Sequence, residues 1–159
     1  MITRLVTPVG VLTLTASDTA LTGVYFPTSR HGPAPEGAAE TNEVLAAAAR
    51  QLNEYFAGNR TTFDLRLAAE GSEFEQRVWG LLRAIPYGTT TSYGAIARRL
   101  GDAKLTRAVG AANGKNPIPI IVPCHRVVGA KGELTGFGGG IDRKRWLLEH
   151  EGALIKLGA

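Results

Sequence analysis

The stretch IPIIVPCHRVV, residues 118–128, is the feature around which the rest of the chain is organised. Its apolar, β-branched start is typical of a buried strand, and the pattern predicts that this strand stops at Pro123. A thiol, an imidazole and a guanidinium then follow in succession on Cys124, His125 and Arg126. A base and a cation are the neighbours that activate a thiol, so this single cysteine is our candidate nucleophile.

Length and composition set the broad class. The 159 residues suffice for one ordinary domain or two small ones, and 44% of them are apolar. The apolar stretches are far shorter than the roughly 20 residues of a membrane helix, and residues 1–4 do not begin like a signal peptide. One cysteine and three scattered histidines make neither a disulfide nor a metal cluster. We therefore expect a cytoplasmic protein with no metal, no cofactor, no membrane contact and no obligate protein partner.

The charge is unevenly spread along the chain. Residues 1–70 carry five basic and seven acidic side chains, whereas residues 71–159 carry thirteen basic and seven acidic ones. A basic C-terminal half suits a polyanionic partner such as nucleic acid. The alternative is a solvated surface that happens to be basic.

Residues 1–70 are predicted to form a small α/β domain with an antiparallel sheet, which serves as a scaffold without a reactive cluster. A proline-rich loop spans residues 27–40, and His31 within it is expected at the surface. A helix follows over about residues 41–57, and residues 63–67 alternate as a candidate further strand. Three runs rich in Val, Leu, Ile and Thr are the predicted strands: 2–6, 11–16 and 20–26.

Residues 71–159 are predicted to form a mostly helical, winged-helix-like domain, which makes the whole chain α+β. Ser72 and Glu75 form a capping-box pattern at the start of a helix that Pro-Tyr-Gly at 86–88 stops. Two short helices follow, the second over about residues 105–114, and the tight turn between them resembles a helix-turn-helix. An ordinary helical hairpin is the alternative.

The last of these helices is almost devoid of bulky side chains. Residues 107–114 read RAVGAANG, and glycine inside a helix costs roughly 1 kcal/mol relative to alanine. Such a sequence predicts a close approach of the backbone to another helix or to the floor of a nucleic-acid groove. Arg107 opposes the helix dipole in the first turn, which indicates a role outside the helix.

Two elements follow the cysteine stretch. Residues 134–140 read LTGFGGG, a loop that either lines a pocket or acts as a flexible lid. Asp142 is predicted to cap a final helix that runs through His150, with Trp146 and Leu147 buried.

The chemistry of the candidate nucleophile depends on its neighbours. A thiol of ordinary pKa is only a few per cent ionised at neutral pH, so Cys124 needs a base. Adjacent residues of an extended chain point in opposite directions, so His125 is expected to act through a bridging water. A carboxylate would orient the imidazole, and the spacing leaves Glu149 and Glu151 as alternatives. The competing interpretation is an inert core cysteine.

Several segments resemble one known family in sequence order. The central segment is PCHRV at 123–127. Three segments precede it in the chain: IPYG at 85–88, RAVG at 107–110, and asparagine with proline at 116–117. WLLEHEG at 146–152 follows it. Together they resemble the O6-alkylguanine-DNA alkyltransferases over nearly all of residues 72–152. The first 70 residues match that family in layout alone.

The resemblance implies a direct-reversal DNA-repair reaction. Cys124 would attack the alkyl carbon on O6 of guanine and keep the alkyl group permanently, in a single turnover. His125 would act as base through a water, Glu151 would orient it, and Tyr93 would protonate the departing guanine. The damaged base would have to leave the stack to be reached.

The resemblance also implies how DNA is held. The helix-turn-helix of that family enters the minor groove, where small side chains fit, and Arg107 matches the arginine that fills the vacated space. Asn116 matches an asparagine that ties the helix to the active-site strand. The candidate DNA-binding residues are Tyr93, Arg107, Ala108, Ala111 and Lys115, and those of the substrate pocket and its support are Asn116, Val127, Phe137 and Gly138.

Two departures and three rival interpretations accompany the resemblance. Some relatives bind zinc through N-terminal cysteines, which this chain lacks, and some have a hydroxyl residue at the position of Gly138. The rivals are a non-enzymatic relative, which would lack the cysteine, a winged-helix protein with an inert cysteine, and a cysteine hydrolase. O4-alkylthymine is a second candidate substrate. We expect a monomer, and nothing in the chain forbids cooperative binding along DNA.

Overall fold

The computed structural model describes residues 1–29 and 32–154. The chain divides into two compact units: the first is Met1–Glu70 with Pro117–Ile121, and the second is Gly71–Asn116 with the chain from Val122 onward. His31, which was expected at the surface, lies outside the described residues. None of the described helices is long and apolar enough to span a membrane.

The first unit contains the predicted antiparallel meander. Its strands are β1 (Ile2–Thr7), β2 (Gly10–Ala16) and β3 (Leu21–Tyr25), paired in the order β1-β2-β3. The first hairpin pairs Leu5 with Leu12, and Leu12 is fully buried. Apolar side chains on one face of this sheet form the core of the unit.

Helix α1 (Glu43–Phe56) packs against this sheet. It begins two residues later than predicted because Asn42 is its cap: the Asn42 side chain accepts a hydrogen bond from the Leu45 N–H at 2.9 Å. Its apolar face is buried through residues at helical spacing, namely Leu45, Ala48, Leu52 and Tyr55.

The alternating segment 63–67 does not form a strand. Leu67 makes one isolated parallel bridge with Leu21. Two backbone hydrogen bonds hold it there, from Leu21 N to Arg66 O at 2.9 Å and from Ala68 N to Leu21 O at 2.8 Å. The alternating segment is therefore attached to the sheet at Leu67 alone and does not form a hydrogen-bonded strand pair.

The second unit is mostly helical, and the α+β prediction is confirmed. Its helices are α2 (Glu73–Arg83), α3 (Tyr93–Arg99), α4 (Thr106–Gly114) and α5 (Ile141–His150). A 3₁₀ turn, Ala103–Leu105, precedes α4. A short parallel pair joins β4 (Thr91–Ser92) to β5 (Val127–Val128). The predicted capping box is present at α2, where Ser72 and Glu75 exchange side-chain and backbone hydrogen bonds.

The predicted strand before the cysteine is wrong. Within residues 118–128 only the last two residues, β5, are a strand, and Cys124–Arg126 is a 3₁₀ turn. Pro119 and Pro123 have no N–H to donate to a ladder. Ile120 has φ +75°, a left-handed conformation that a β-branched residue rarely adopts. The apolar run is therefore a buried, sharply turning segment.

The predicted cap and burial of the last helix also need correction. Gly140, with φ +94°, is the N-cap of α5, and Asp142 lies inside the first turn, where its charge suits the helix dipole. Trp146 is only half-buried, whereas Leu147 and Leu148 are fully buried. The buried face of α5 thus consists of Lys144, Leu147 and Leu148, and does not include Trp146 as the sequence indicated.

Candidate active site

Cys124 is the first residue of the 3₁₀ turn, and its side chain is buried. Two asparagines from the end of α4 and the residues after it hold this turn. The Asn113 amide donates to the Cys124 carbonyl at 3.3 Å, and the Asn116 amide donates to the Val122 carbonyl at 2.8 Å. The nucleophile therefore sits in a backbone conformation that side-chain hydrogen bonds stabilise from the helix.

His125 and Glu151 form a buried pair beside the cysteine. His125 Nε2 lies 2.8 Å from Glu151 Oε2, and neither side chain is exposed. Glu151, the C-cap residue of α5, is thus the carboxylate that meets the imidazole, and Glu149 has no such contact with it. The contact fixes the orientation of the ring.

Arg126 completes this buried cluster. Its Nε donates to Glu151 Oε1 at 2.7 Å, and its second terminal nitrogen donates to Oε2 at 3.0 Å, which is a bidentate pair. Its first terminal nitrogen donates to the Ile85 carbonyl at 2.7 Å. The Tyr87 ring covers the guanidinium, with its centroid 5.6 Å from Cζ. The carboxylate therefore shares its charge between an arginine and a histidine.

The protonation of these groups follows from burial and from these contacts. Burial raises the pKa of the Cys124 thiol to about 11, although the Asn116 amide and the Lys144 charge oppose it. Burial also lowers the pKa of His125. It would raise the pKa of Glu151, but hydrogen bonds and charge from His125 and Arg126 outweigh it and lower that pKa to about 2. The resting cluster is thus a neutral thiol, a neutral imidazole and an ion pair.

The thiol and the imidazole are not directly hydrogen-bonded. The second ring nitrogen of His125, Nδ1, is buried and has no hydrogen-bond partner among residues 1–29 and 32–154. An unpaired buried nitrogen of this kind is costly unless a further group meets it. His125 Nδ1 is therefore available to accept or donate one hydrogen bond to a group that enters the site.

Lys144 is a site residue that the sequence reasoning missed. Its ammonium group is fully buried and donates to the Val127 carbonyl at 2.6 Å and to the Thr135 carbonyl at 2.7 Å. Burial lowers its pKa to about 8, although the Cys124 thiolate form opposes this. A signal was present, because Lys144 shares one face of α5 with Leu147, at i, i+3 spacing.

Tyr93 is joined to the same cation. Its hydroxyl donates to the Thr135 carbonyl at 3.0 Å and lies 3.5 Å from Lys144 Nζ. Val127 and Phe137 are buried, and Gly138 is half-buried in the loop between them and α5. These contacts link the first residue of α3 with the glycine-rich loop.

Four of the five predicted DNA-binding residues are exposed on α4 or directly after it, whereas Tyr93, the first residue of α3, is half-buried. Val109 and Ala112 point inward, and the Trp79 indole donates to the Ala112 carbonyl at 2.8 Å, which anchors α4 on α2. An added Cβ at Gly110 would meet nothing nearer than a Tyr93 ring carbon at 3.9 Å, an ordinary contact. Four candidates lie exposed on the helix or just after it: Arg107, Ala108, Ala111 and Lys115.

A metal site is not part of this arrangement. In the described part of the chain, no three His, Cys, Asp or Glu side chains gather so that they could hold a metal ion. The groups near Cys124 are instead suited to moving a proton and to holding charge.

Comparison with known proteins gives two matches that together span most of the chain. The model of the 6-O-methylguanine DNA methyltransferase, ribonuclease-like domain, matches residues 3–69, and that of the DNA binding domain of the same protein family matches residues 73–153.

Individual relatives are similar over nearly the full length. The methylated-DNA--protein-cysteine methyltransferase of Mycolicibacterium paratuberculosis is 51% identical over 144 residues, which cover 91% of this chain and 87% of that protein. The crystal structure of Mycobacterium tuberculosis O6-methylguanine methyltransferase is 46% identical, with a TM-score of 0.82 and coverage of 98% of this chain and 94% of that one. The structure of Mycobacterium tuberculosis OGT in complex with DNA is 51% identical, with a TM-score of 0.82 and coverage of 94% and 91%.

Proposed function

Because the chain belongs to the O6-methylguanine DNA methyltransferase family, we propose that it repairs O6-alkylguanine in double-stranded DNA by transferring the alkyl group to Cys124. It is thus a methylated-DNA--protein-cysteine methyltransferase that acts once per molecule. The observation that carries the proposal is the buried Cys124 side chain directly before His125, whose ring is paired with the buried Glu151 carboxylate at 2.8 Å.

The reaction begins with removal of the thiol proton. With a pKa of about 11, Cys124 has almost no thiolate at neutral pH, so a base is needed. His125 accepts the proton through a bridging water at its free Nδ1, and Glu151 stabilises the resulting imidazolium. The sulfur then forms a bond to the alkyl carbon, while the bond from that carbon to guanine O6 breaks.

The departing guanine needs a proton to leave as a neutral base. Tyr93 supplies it, and the neighbouring ammonium of Lys144, 3.5 Å away, stabilises the phenolate that forms. The proton on His125 then passes through solvent to the Tyr93 phenolate, so that both side chains return to their neutral forms. The net change is one thiol and one alkylguanine converted to one thioether and one guanine.

We propose that α4 lies in the minor groove and that the damaged base leaves the stack. The exposed face of α4 combines small side chains with Arg107 and Lys115, which suits a narrow, negatively charged groove. Gly110 supports this interpretation, because no close contact within the described chain requires a glycine there. Arg107 fills the space that the flipped base leaves.

The pocket and assembly state are part of the same proposal. Val127, Phe137 and the half-buried Gly138 line the pocket for the alkylated base, and the absence of a side chain at Gly138 widens it for larger alkyl groups. O4-alkylthymine is a second substrate. The protein acts as a monomer, and nothing in its sequence forbids several copies from binding side by side along DNA.

The decisive experiment is intact mass spectrometry after mixing the protein with a duplex that carries one O6-methylguanine. We expect a gain of one methyl group, mapped to Cys124, which is absent with unmodified DNA and absent in Cys124→Ala. An unchanged mass despite tight binding to the lesion would mean that the protein recognises damage without repairing it.

The role of Arg107 has a separate test. In Arg107→Ala, transfer from duplex DNA should slow about tenfold or more, because unstacking a base costs a few kcal/mol. Transfer from free O6-benzylguanine, which needs no base flipping, should keep its rate. Arg50→Ala, at an exposed arginine of α1, is the matched control and should change neither rate. Equal slowing with both substrates would contradict the role in base flipping.

A further inference from the structure

Arg126 is buried at the centre of the charged cluster, and the reaction outlined above gives it no role. Arg126 is 6% exposed, and its guanidinium makes three hydrogen bonds, two to Glu151 and one to the Ile85 carbonyl. A charged guanidinium is expensive to bury even when a bidentate ion pair compensates part of the desolvation penalty. The placement therefore calls for an explanation beyond packing.

The shared carboxylate suggests what that role is. Glu151 Oε2 lies 2.8 Å from His125 Nε2 and 3.0 Å from the Arg126 guanidinium, so one oxygen serves both partners. A buried carboxylate with histidine as its sole partner would draw a proton onto the imidazole, because opposite charges in a low dielectric attract strongly. A histidine that already carries this proton could not accept one from Cys124.

We propose that Arg126 is a positioning residue which neutralises Glu151 and thereby leaves His125 uncharged, ready to accept the thiol proton. With arginine present, the resting cluster of Arg126, Glu151 and neutral His125 has no net charge. Proton transfer from Cys124 then creates an imidazolium and a thiolate together, at the moment when the alkyl carbon is attacked. This inference rests on the proposed alkyl transfer and concerns the same site.

Two further titratable side chains in the described chain bear on the charge of His125, namely Lys144 and Tyr87. Lys144, from α5, is the second cation facing the site, and it also disfavours an imidazolium. Tyr87, from the turn after α2, lies over Arg126 and shields the ion pair from water. The pKa of this tyrosine is raised, first by burial and then by the Glu151 charge. It therefore stays neutral and adds no charge of its own.

The direct test is an NMR pH titration of the His125 imidazole in the free protein, which requires no DNA. In the wild type the ring should stay neutral at pH 7 and titrate below the usual pH of a histidine. In Arg126→Met the titration should move upward by about one pH unit or more. Arg83→Met makes the same substitution at an exposed arginine of α2 and should leave the titration where it is.

The kinetic counterpart is the pH profile of methyl transfer from duplex DNA. In Arg126→Met, the pH at which the rate falls on the acid side of the profile should rise together with the imidazole titration. The variant should therefore recover much of its rate at alkaline pH. Arg126→Lys keeps the charge but not the bidentate geometry, and its acid limb should stay close to that of the wild type. A merely structural role would lower the rate equally at every pH.

Each outcome bears on the proposal. An unshifted titration in folded Arg126→Met, or a wild-type His125 that is protonated at pH 7, would overturn it. If Arg126→Met does not fold, the wild-type titration and the Arg126→Lys profile still decide. If the wild type transfers no alkyl group, the proposed function fails, while the imidazole titration of the free protein still tests Arg126.

Discussion

The two units of the chain bury different kinds of polar group. In the first unit the buried polar side chains of the described residues are neutral: Thr13 and Gln51. The amide of Gln51 donates to the Asp64 carbonyl at 3.0 Å and accepts from the Asp64 N–H at 2.9 Å. In the second unit the buried polar groups are Asn113 and four ionisable residues: His125, Arg126, Lys144 and Glu151.

The buried polar groups of the first unit stabilise the fold, whereas those of the second unit are suited to chemistry. A satisfied amide such as Gln51 fastens a loop at little cost. Buried ions pay a desolvation penalty that their mutual attraction does not always offset, so an ion pair is weak evidence for stability. Four ionisable groups packed near one cysteine are therefore better explained by the reaction than by the fold.

The largest expected effect comes from breaking one network in each unit. Glu151→Gln leaves the Arg126 guanidinium buried without its counter-charge, which should lower the free energy of unfolding by about 3–5 kcal/mol. Loss of the negative charge beside the imidazole should also slow alkyl transfer by about 10²–10⁴-fold. Denaturant titration and single-turnover kinetics on the folded fraction measure the two quantities.

The matched variant in the first unit is Gln51→Ala. It removes both hydrogen bonds to the Asp64 backbone and should cost about 1–3 kcal/mol of stability, with an unchanged transfer rate per folded molecule. Similar rate losses in the two variants would show that the division between scaffold and reactive unit is wrong.

The second expected effect is acid destabilisation of the second unit. The pKa of Glu151 is lowered from 4.5 to about 2 in the folded state. Its contribution to the free energy of unfolding is therefore complete above pH 4.5 and is lost as the pH falls towards 2. Over that range the loss amounts to about 3 kcal/mol. The pKa of His125 is also lowered in the folded state, mainly by burial, which removes further stability as pH falls below 6.5.

Fluorescence can assign this acid effect to a unit, because both tryptophans, Trp79 and Trp146, lie in the second one. Denaturant titrations followed by tryptophan emission should give a free energy of unfolding that falls steeply between pH 6.5 and pH 3. A pH-independent value would mean that the ion cluster is as accessible to protons in the folded protein as in the unfolded one.

Local features of the sequence predicted the fold well. The capping box of Ser72 and Glu75 and the periodicity of α1 depend on neighbouring residues, and both helices formed where those signals lay. The strand predicted over 118–122 failed because its apolar composition dominated the interpretation, whereas the prolines and the left-handed Ile120 decide the backbone.

Features that depend on distant partners were harder to predict. Lys144 lies in a basic run and would ordinarily be solvated, but carbonyls from Val127 and Thr135 receive its ammonium in the folded chain. The choice of Glu151 over Glu149 likewise follows from the end of α5 meeting His125. Spacing restricts such partners to a few candidates, and tertiary packing selects among them.

The smallest expected effect uses two helical glycines of the second unit to separate stability from DNA binding. Gly110→Ala and Gly80→Ala should each raise the free energy of unfolding by about 0.4–1 kcal/mol, because alanine restricts the unfolded chain. An added Cβ meets nothing within 4 Å at Gly80 and only an ordinary contact at Gly110. Gly110→Ala alone should weaken duplex binding, since its methyl group would lie beside Tyr93 at the edge of the face proposed to enter the minor groove. Equal duplex affinity of both variants in fluorescence anisotropy would remove that face from the DNA interface and leave the small residues of α4 explained by packing alone.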